Sequence, residues 1–300
     1  MHTPAVAATG LTKTYGDLLA LADVDVTIAP GEAVAIMGAS GSGKTTLLHC
    51  LAAVIAPDAG SVRLARPGAE PLELVGLNEN ERSAVRRTLV GFVFQDHLLL
   101  PELTAVENAA LPLLVTGMPR AQAEAHAAGW LAALGLAGME QRRIGQLSGG
   151  QAQRVAIARA QVTGAPVVFA DEPTGALDTA TGDEVMSALL QATIGQGRSL
   201  VVVTHDPEVA RRCHRVLHMR DGRIHAPGIP GAVSAPGTPG IPGTAGAHAA
   251  LGTPAAPGVP GTASAPSAPS TPGAPGIPAA HAALGAPAAA GVPAAAEARR

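Results

Sequence analysis

The eight residues Gly38-Ala39-Ser40-Gly41-Ser42-Gly43-Lys44-Thr45 have the spacing of a loop built to hold phosphate. Glycines let the backbone curl until several N–H groups aim at one anion, and a following helix adds the positive end of its dipole. In such a loop Lys44 reaches the β- and γ-phosphates of a nucleotide, and the Thr45 hydroxyl serves Mg2+. A second group stands at Asp171 and Glu172, two carboxylates closing the apolar run Val167-Val168-Phe169-Ala170. Asp171 would hold Mg2+ through water, and Glu172 would polarise the attacking water as general base. Phosphate loop and carboxylate pair together spell an ATPase.

Groups of this kind must be mounted on strand ends and helix starts. Val34-Ala35-Ile36-Met37, directly before the loop, is a continuous apolar run, as for a strand covered on both faces. The run after it, from Thr46 to Leu51, reads as a helix. Strands are predicted over 24–28, 34–37, 90–94, 167–170 and 200–203, and helices over 44–54, 120–134 and 151–162. Val216 to Met219 and Arg223-Ile224 flank Asp221-Gly222, a hairpin signal. This alternation predicts an α/β fold with a largely parallel central sheet.

Composition divides the 300 residues in two. Residues 226–300 contain 25 Ala, 15 Pro and 13 Gly and no Phe, Trp or Tyr, so all five of those residues in the chain precede them. This low-complexity tail is read as disordered and partly polyproline-like, despite a pentapeptide at His248 that returns at His281. The formal net charge of −3 lacks the basic excess of a nucleic-acid binder, so no nucleic-acid partner is expected. Two cysteines make no disulfide framework, and a reduced compartment is expected. No signal peptide is read at the N-terminus, and no strongly apolar run is long enough to cross a membrane.

Between the two nucleotide motifs lies Leu147-Ser148-Gly149-Gly150-Gln151. Alone it would be a helix N-cap, with Ser148 as the capping residue. In this position it makes the chain resemble the ATP-binding cassette (ABC) ATPases over about residues 5–225. The resemblance implies a P-loop NTPase core of ABC type, with an antiparallel β subdomain and a helical subdomain inserted at about 96–160. It divides the chain into an ATP-binding domain, 1–225, and the tail, 226–300. It further implies that Ser148, Gly149, Gly150 and Gln151 bind the γ-phosphate of ATP held by the opposite subunit. Two cassettes would then sandwich two MgATP.

The other family roles fall on single residues. Gly38, Ala39, Ser40, Gly41, Ser42, Gly43, Lys44, Thr45 and Thr46 would cradle the phosphates, and Tyr15 would stack on adenine. Gln95 resembles the glutamine that senses Mg2+ and water, completing a metal set with Thr45 and Asp171. His205 resembles the switch histidine, and Asp178, in Ala176-Leu177-Asp178, the loop that meets the partner subunit. Glu172, His205, Gln95 and Lys44 form the implied catalytic set, while His49, His97 and His126 are read as structural. Ala152 and Gln161 depart from the usual pattern, at positions that do not touch phosphate.

The stretch from Gln95 to Asn108, with Ala110 to Leu114 and Asp171 to Asp178, is similar to the lipoprotein-releasing and macrolide-export branch of the family. That branch implies a separate integral-membrane permease, a homodimer and a place on the cytoplasmic face of the membrane. Leu98, Leu99 and Leu103 would be either permease contacts or core. An importer ATPase and a non-transport ABC ATPase are the alternative readings.

Overall fold

The computed structural model describes residues 3–225; the low-complexity tail lies outside the described residues. Strands β1 (Val6–Tyr15), β2 (Leu18–Ile28), β4 (Ala59–Arg66) and β5 (Ala69–Glu73) form an antiparallel sheet in the order β2-β1-β4-β5. The second sheet has six strands: β3 (Ala33–Met37), β6 (Val90–Val93), β7 (Val167–Asp171), β8 (Ser199–Val203), β9 (Arg215–Arg220) and β10 (Arg223–His225). Its order is β10-β9-β3-β8-β7-β6, parallel except for the β9–β10 hairpin. The strand expected at 24–28 is thus the end of β2, in the antiparallel sheet. Its alternation of buried Val24, Val26 and Ile28 with exposed Asp25 and Thr27 suits a sheet with one wet face.

Alternation along the parallel strands separates two apolar layers. Val167 and Phe169 of β7, with Val201 and Val203 of β8, pack toward the antiparallel sheet and helix α1 (Lys44–Leu51). Val168 and Ala170, with Leu200 and Val202, face the other way. There they meet α3 (Ala105–Val115), α4 (Arg120–Ala133), α5 (Gly149–Gln161) and α6 (Thr179–Thr193). Two further helices are α2 (Glu79–Thr88) and the short α7 (Pro207–Arg211). Between β6 and β7 the chain is helical apart from turns, with α3, α4 and α5 packed on one another.

Helix starts follow local chemistry. Asn78 with Glu81, Thr104 with Glu107 and Ser148 with Gln151 are reciprocal capping boxes at α2, α3 and α5. Helix α1 stops at Leu51, three residues before the predicted end. Ala53 there takes a left-handed backbone, φ 57, and its carbonyl accepts from Nη1 of Arg86 on α2 at 2.7 Å. That contact comes from elsewhere in the chain, so local propensity does not reveal it.

Candidate active site

The phosphate loop runs from the end of β3 into α1. Its glycines are needed at particular points: a Cβ on Gly38 would lie 2.2 Å from the Met219 carbonyl oxygen, and Gly43, with φ 98, would place one 2.3 Å from the Ala20 carbonyl oxygen. Gly43 is also the N-cap of α1, and no side chain caps that helix. The first-turn N–H groups of α1 therefore remain directed at the loop, as an anion site requires. Lys44 spans its own loop, Nζ donating to the carbonyls of Gly38 and Ala39 at 2.9 Å each. Ser42 is buried, and its Oγ has no hydrogen-bond partner among the described residues.

An open cavity of about 410 Å³ lies above this loop. Its lining joins Tyr15 and Leu18 from the antiparallel sheet, Ser40 and Lys44 to Thr46 from the loop, and Glu172 and His205 from the ends of β7 and β8. Tyr15 is 46% exposed, with Lys13 Nζ 5.6 Å from the ring centroid. Glu172 has φ 46, a left-handed conformation that costs a non-glycine residue about 1–3 kcal/mol. Its N–H donates to the Val203 carbonyl at 2.9 Å, and its carboxylate accepts from Nδ1 of His205 at 2.9 Å. A carboxylate here only accepts, so His205 carries a proton on Nδ1 in this contact.

Thr45 Oγ1 lies 3.4 Å from Asp171 Oδ1, a long contact that sets one hydroxyl and one carboxylate side by side. Burial pushes the Asp171 carboxyl above its ordinary range, against the Thr45 bond and the nearby Lys44 charge. These hard oxygen donors fit Mg2+, which takes one or two carboxylates and completes its shell with water and substrate phosphate. Gln95 is not part of the cavity lining; its Nε2 lies beside Gly175, where a Cβ would come within 3.1 Å of it. Ser148 to Gln151 and Asp178 also lie outside that lining. Ser148 Oγ accepts from the Gln151 N–H at 3.3 Å, and Gln151 Oε1 accepts from the Ser148 N–H at 3.0 Å, capping α5. Asp178 caps α6, and the Thr181 N–H bond holds its carboxyl below the ordinary range.

The phosphate loop, the Asp171/Glu172 pair and the Ser148–Gln151 helix start thus stand on one scaffold, and comparison with known proteins decides which. The family model described as "ABC transporter" matches residues 21–175. The chain belongs to the ABC transporter family. It is an ATPase cassette, with ATP as its nucleotide and Mg2+ as its metal. The lipoprotein-releasing system ATP-binding protein LolD of Bordetella pertussis is 45% identical over 74% of the chain and 95% of its own length. The macrolide export ATP-binding/permease protein MacB 1/2 of Paracoccus denitrificans is 45% identical over 78% of the chain, which spans only 35% of that relative. Among solved structures, the ATP-binding cassette MJ0796, a dimer in a post-hydrolysis state bound to ADP and Pi, is 38% identical. It has a TM-score of 0.66 over 74% of this chain and 97% of its own.

His97 and Gln153 were not singled out as site residues from sequence, yet both tie cassette motifs together. His97 Nε2 lies 3.2 Å from the Gly149 carbonyl. The buried Gln153 amide donates to the carbonyls of Phe94 at 3.3 Å and Pro173 at 2.7 Å. Their partners lie 20 to 59 residues away in sequence, so only the folded chain reveals them. The apolar residues after Gln95 divide: Leu98 is 56% exposed, whereas Leu99 packs against the helical layer and Leu103 is half-buried. No described helix is long and apolar enough to cross a membrane.

Proposed function

We propose that this cassette is the ATP-hydrolysing subunit of a transporter of the lipoprotein-release or macrolide-export type, working as a pair around two MgATP. The observation that carries the reading is the single cavity lined by Tyr15, the phosphate loop, Glu172 and His205. The phosphate loop and the α1 N-terminus hold the phosphates, Lys44 leaving its loop carbonyls for them. Thr45 and Asp171, with Gln95, would hold Mg2+, which when bound would neutralise charge on the phosphates. Tyr15 receives the base. Glu172, kept oriented by His205, takes the proton of the attacking water, whose oxygen bonds to the γ-phosphorus as the bond to ADP breaks. Ser148 to Gln151 of each subunit close over the nucleotide of the other.

The permease is a separate chain in this reading, and it holds the cassette on the cytoplasmic face of the membrane. The near full-length match to LolD, named as an ATP-binding protein, supports that division. A groove of about 340 Å³ lined by Phe92, Phe94, Leu98, Pro112 and Arg159 offers an apolar seat beside Gln95. Closure of the paired cassettes would move the permease, and hydrolysis would reopen them. Glu172→Gln should lower turnover about 10²–10⁴-fold, the usual worth of a general base, and accumulate an ATP-bound dimer on size-exclusion chromatography. Recovered from native membranes, that dimer should bring an integral-membrane permease with it. Unchanged turnover would overturn the catalytic assignment, and recovery without a permease the transport assignment.

A further inference from the structure

Helix α5 grips the segment following β6 at three levels. At its first turn the Gly149 carbonyl stands 3.2 Å from His97 Nε2. A carbonyl can only accept, so Nε2 is the protonated nitrogen. Midway, the Gln153 amide bridges the carbonyls of Phe94 and Pro173. Near the end, Arg159 donates to the carbonyls of His97 at 2.6 Å and Leu98 at 2.5 Å. His97 and Leu98 both have left-handed backbones, φ 61 and 46, which side chains with a Cβ adopt only where their surroundings hold them. This is a clamped turn, and His97 makes its side-chain hydrogen bond to the start of α5.

The opposite side of that helix start has little slack. A Cβ on Gly150 would meet Thr181 Cγ2 at 2.3 Å, and one on Gly149 would meet Leu177 Cδ2 at 3.2 Å. The first turn of α5 therefore sits between α6 and the imidazole of His97. We propose that His97 is a positioning residue that sets the Ser148–Gln151 turn for the nucleotide of the second subunit. It stands two residues after Gln95, so the same bond keeps that turn in register with Gln95. The proposal rests on the two-subunit reading above.

The test uses the full chain in the Glu172→Gln background, with dimer fraction followed by size-exclusion chromatography as MgATP is raised. His97→Phe keeps a ring and removes the donor, whereas His97→Gln supplies an amide N–H at similar reach. His97→Phe should raise the ATP concentration for half-dimerisation about tenfold, the effect of one lost hydrogen bond. Binding of a fluorescent ATP analogue to the monomer and the melting temperature should stay at the parental values. His97→Gln should bring dimerisation back toward the parent. Parental dimerisation in His97→Phe overturns the proposal, as does failure of His97→Gln to restore it. A parallel loss of monomer affinity and melting temperature would make His97 a merely structural residue and also overturn it. If the Glu172→Gln parent itself does not dimerise with ATP, the two-subunit reading falls, and this inference with it.

Discussion

Lys44 shows how much of a binding site one side chain can pre-arrange. Its ammonium is held by two carbonyls of the loop it belongs to, so the charge already stands over the phosphate position. Exchanging those carbonyls for phosphate oxygens replaces neutral acceptors with charged ones, which bind about twice as strongly. Lys44→Ala should weaken ATP binding by about 1.5–3 kcal/mol, roughly ten- to hundredfold, with little change in melting temperature. Titration with a fluorescent nucleotide checks this, and unchanged affinity would refute the phosphate-loop role. The residue types here were legible from sequence, because loop, lysine and hydroxyl are contiguous. The His205–Glu172 contact was not, because it joins the ends of two different strands.

Helix α5 carries more of the site than its sequence suggests. Ser148 was readable as a cap, and the chain forms there a capping box that Gln151 completes. The packing of its second glycine was not readable. Gly150 is buried against α6, and a methyl group there would collide with Thr181. Gly150→Ala should cost about 1–3 kcal/mol by overpacking and displace the Ser148 turn from α6. Thr181→Ala removes the colliding Cγ2 and leaves the nearest Cβ 3.8 Å away, so the double variant should regain most of the loss. Thermal melts of the three variants measure the coupling, and purely additive effects would count against it. Helices α2 and α3, absent from the expected helices, begin at Asn78-x-x-Glu81 and Thr104-x-x-Glu107, local signals of the same kind as the one at Ser148. The end of α1 had no such signal, because its left-handed closing residue is Ala53 rather than a glycine, held by backbone bonds from Ala53 and Val54 to the Cys50 and His49 carbonyls.

Across the whole molecule, the parallel sheet is a partition. Neighbouring residues of β7 point into different apolar layers, one shared with the antiparallel sheet and one with helices α3 to α6. The ends of β3, β7 and β8 meet between these layers, which is where Lys44, Asp171, Glu172 and His205 converge. We propose residues 1–225 as the ATP-binding domain and 226–300 as an appended tail. A chain ending at His225 should keep MgATP turnover within about twofold, since a domain of this size buries enough surface to fold alone. Loss of turnover on truncation would reject that boundary. What the sequence determined by itself depended on neighbours in the chain: the phosphate loop, the carboxylate pair, the Ser148 cap and the buried strands of the parallel sheet. Contacts between distant segments were decided by tertiary structure alone. The seating of His97 on Gly149, the Gln153 bridge and the fit of Gly150 against Thr181 each exist only once the layers have packed, since no local propensity fixes which side chains then meet.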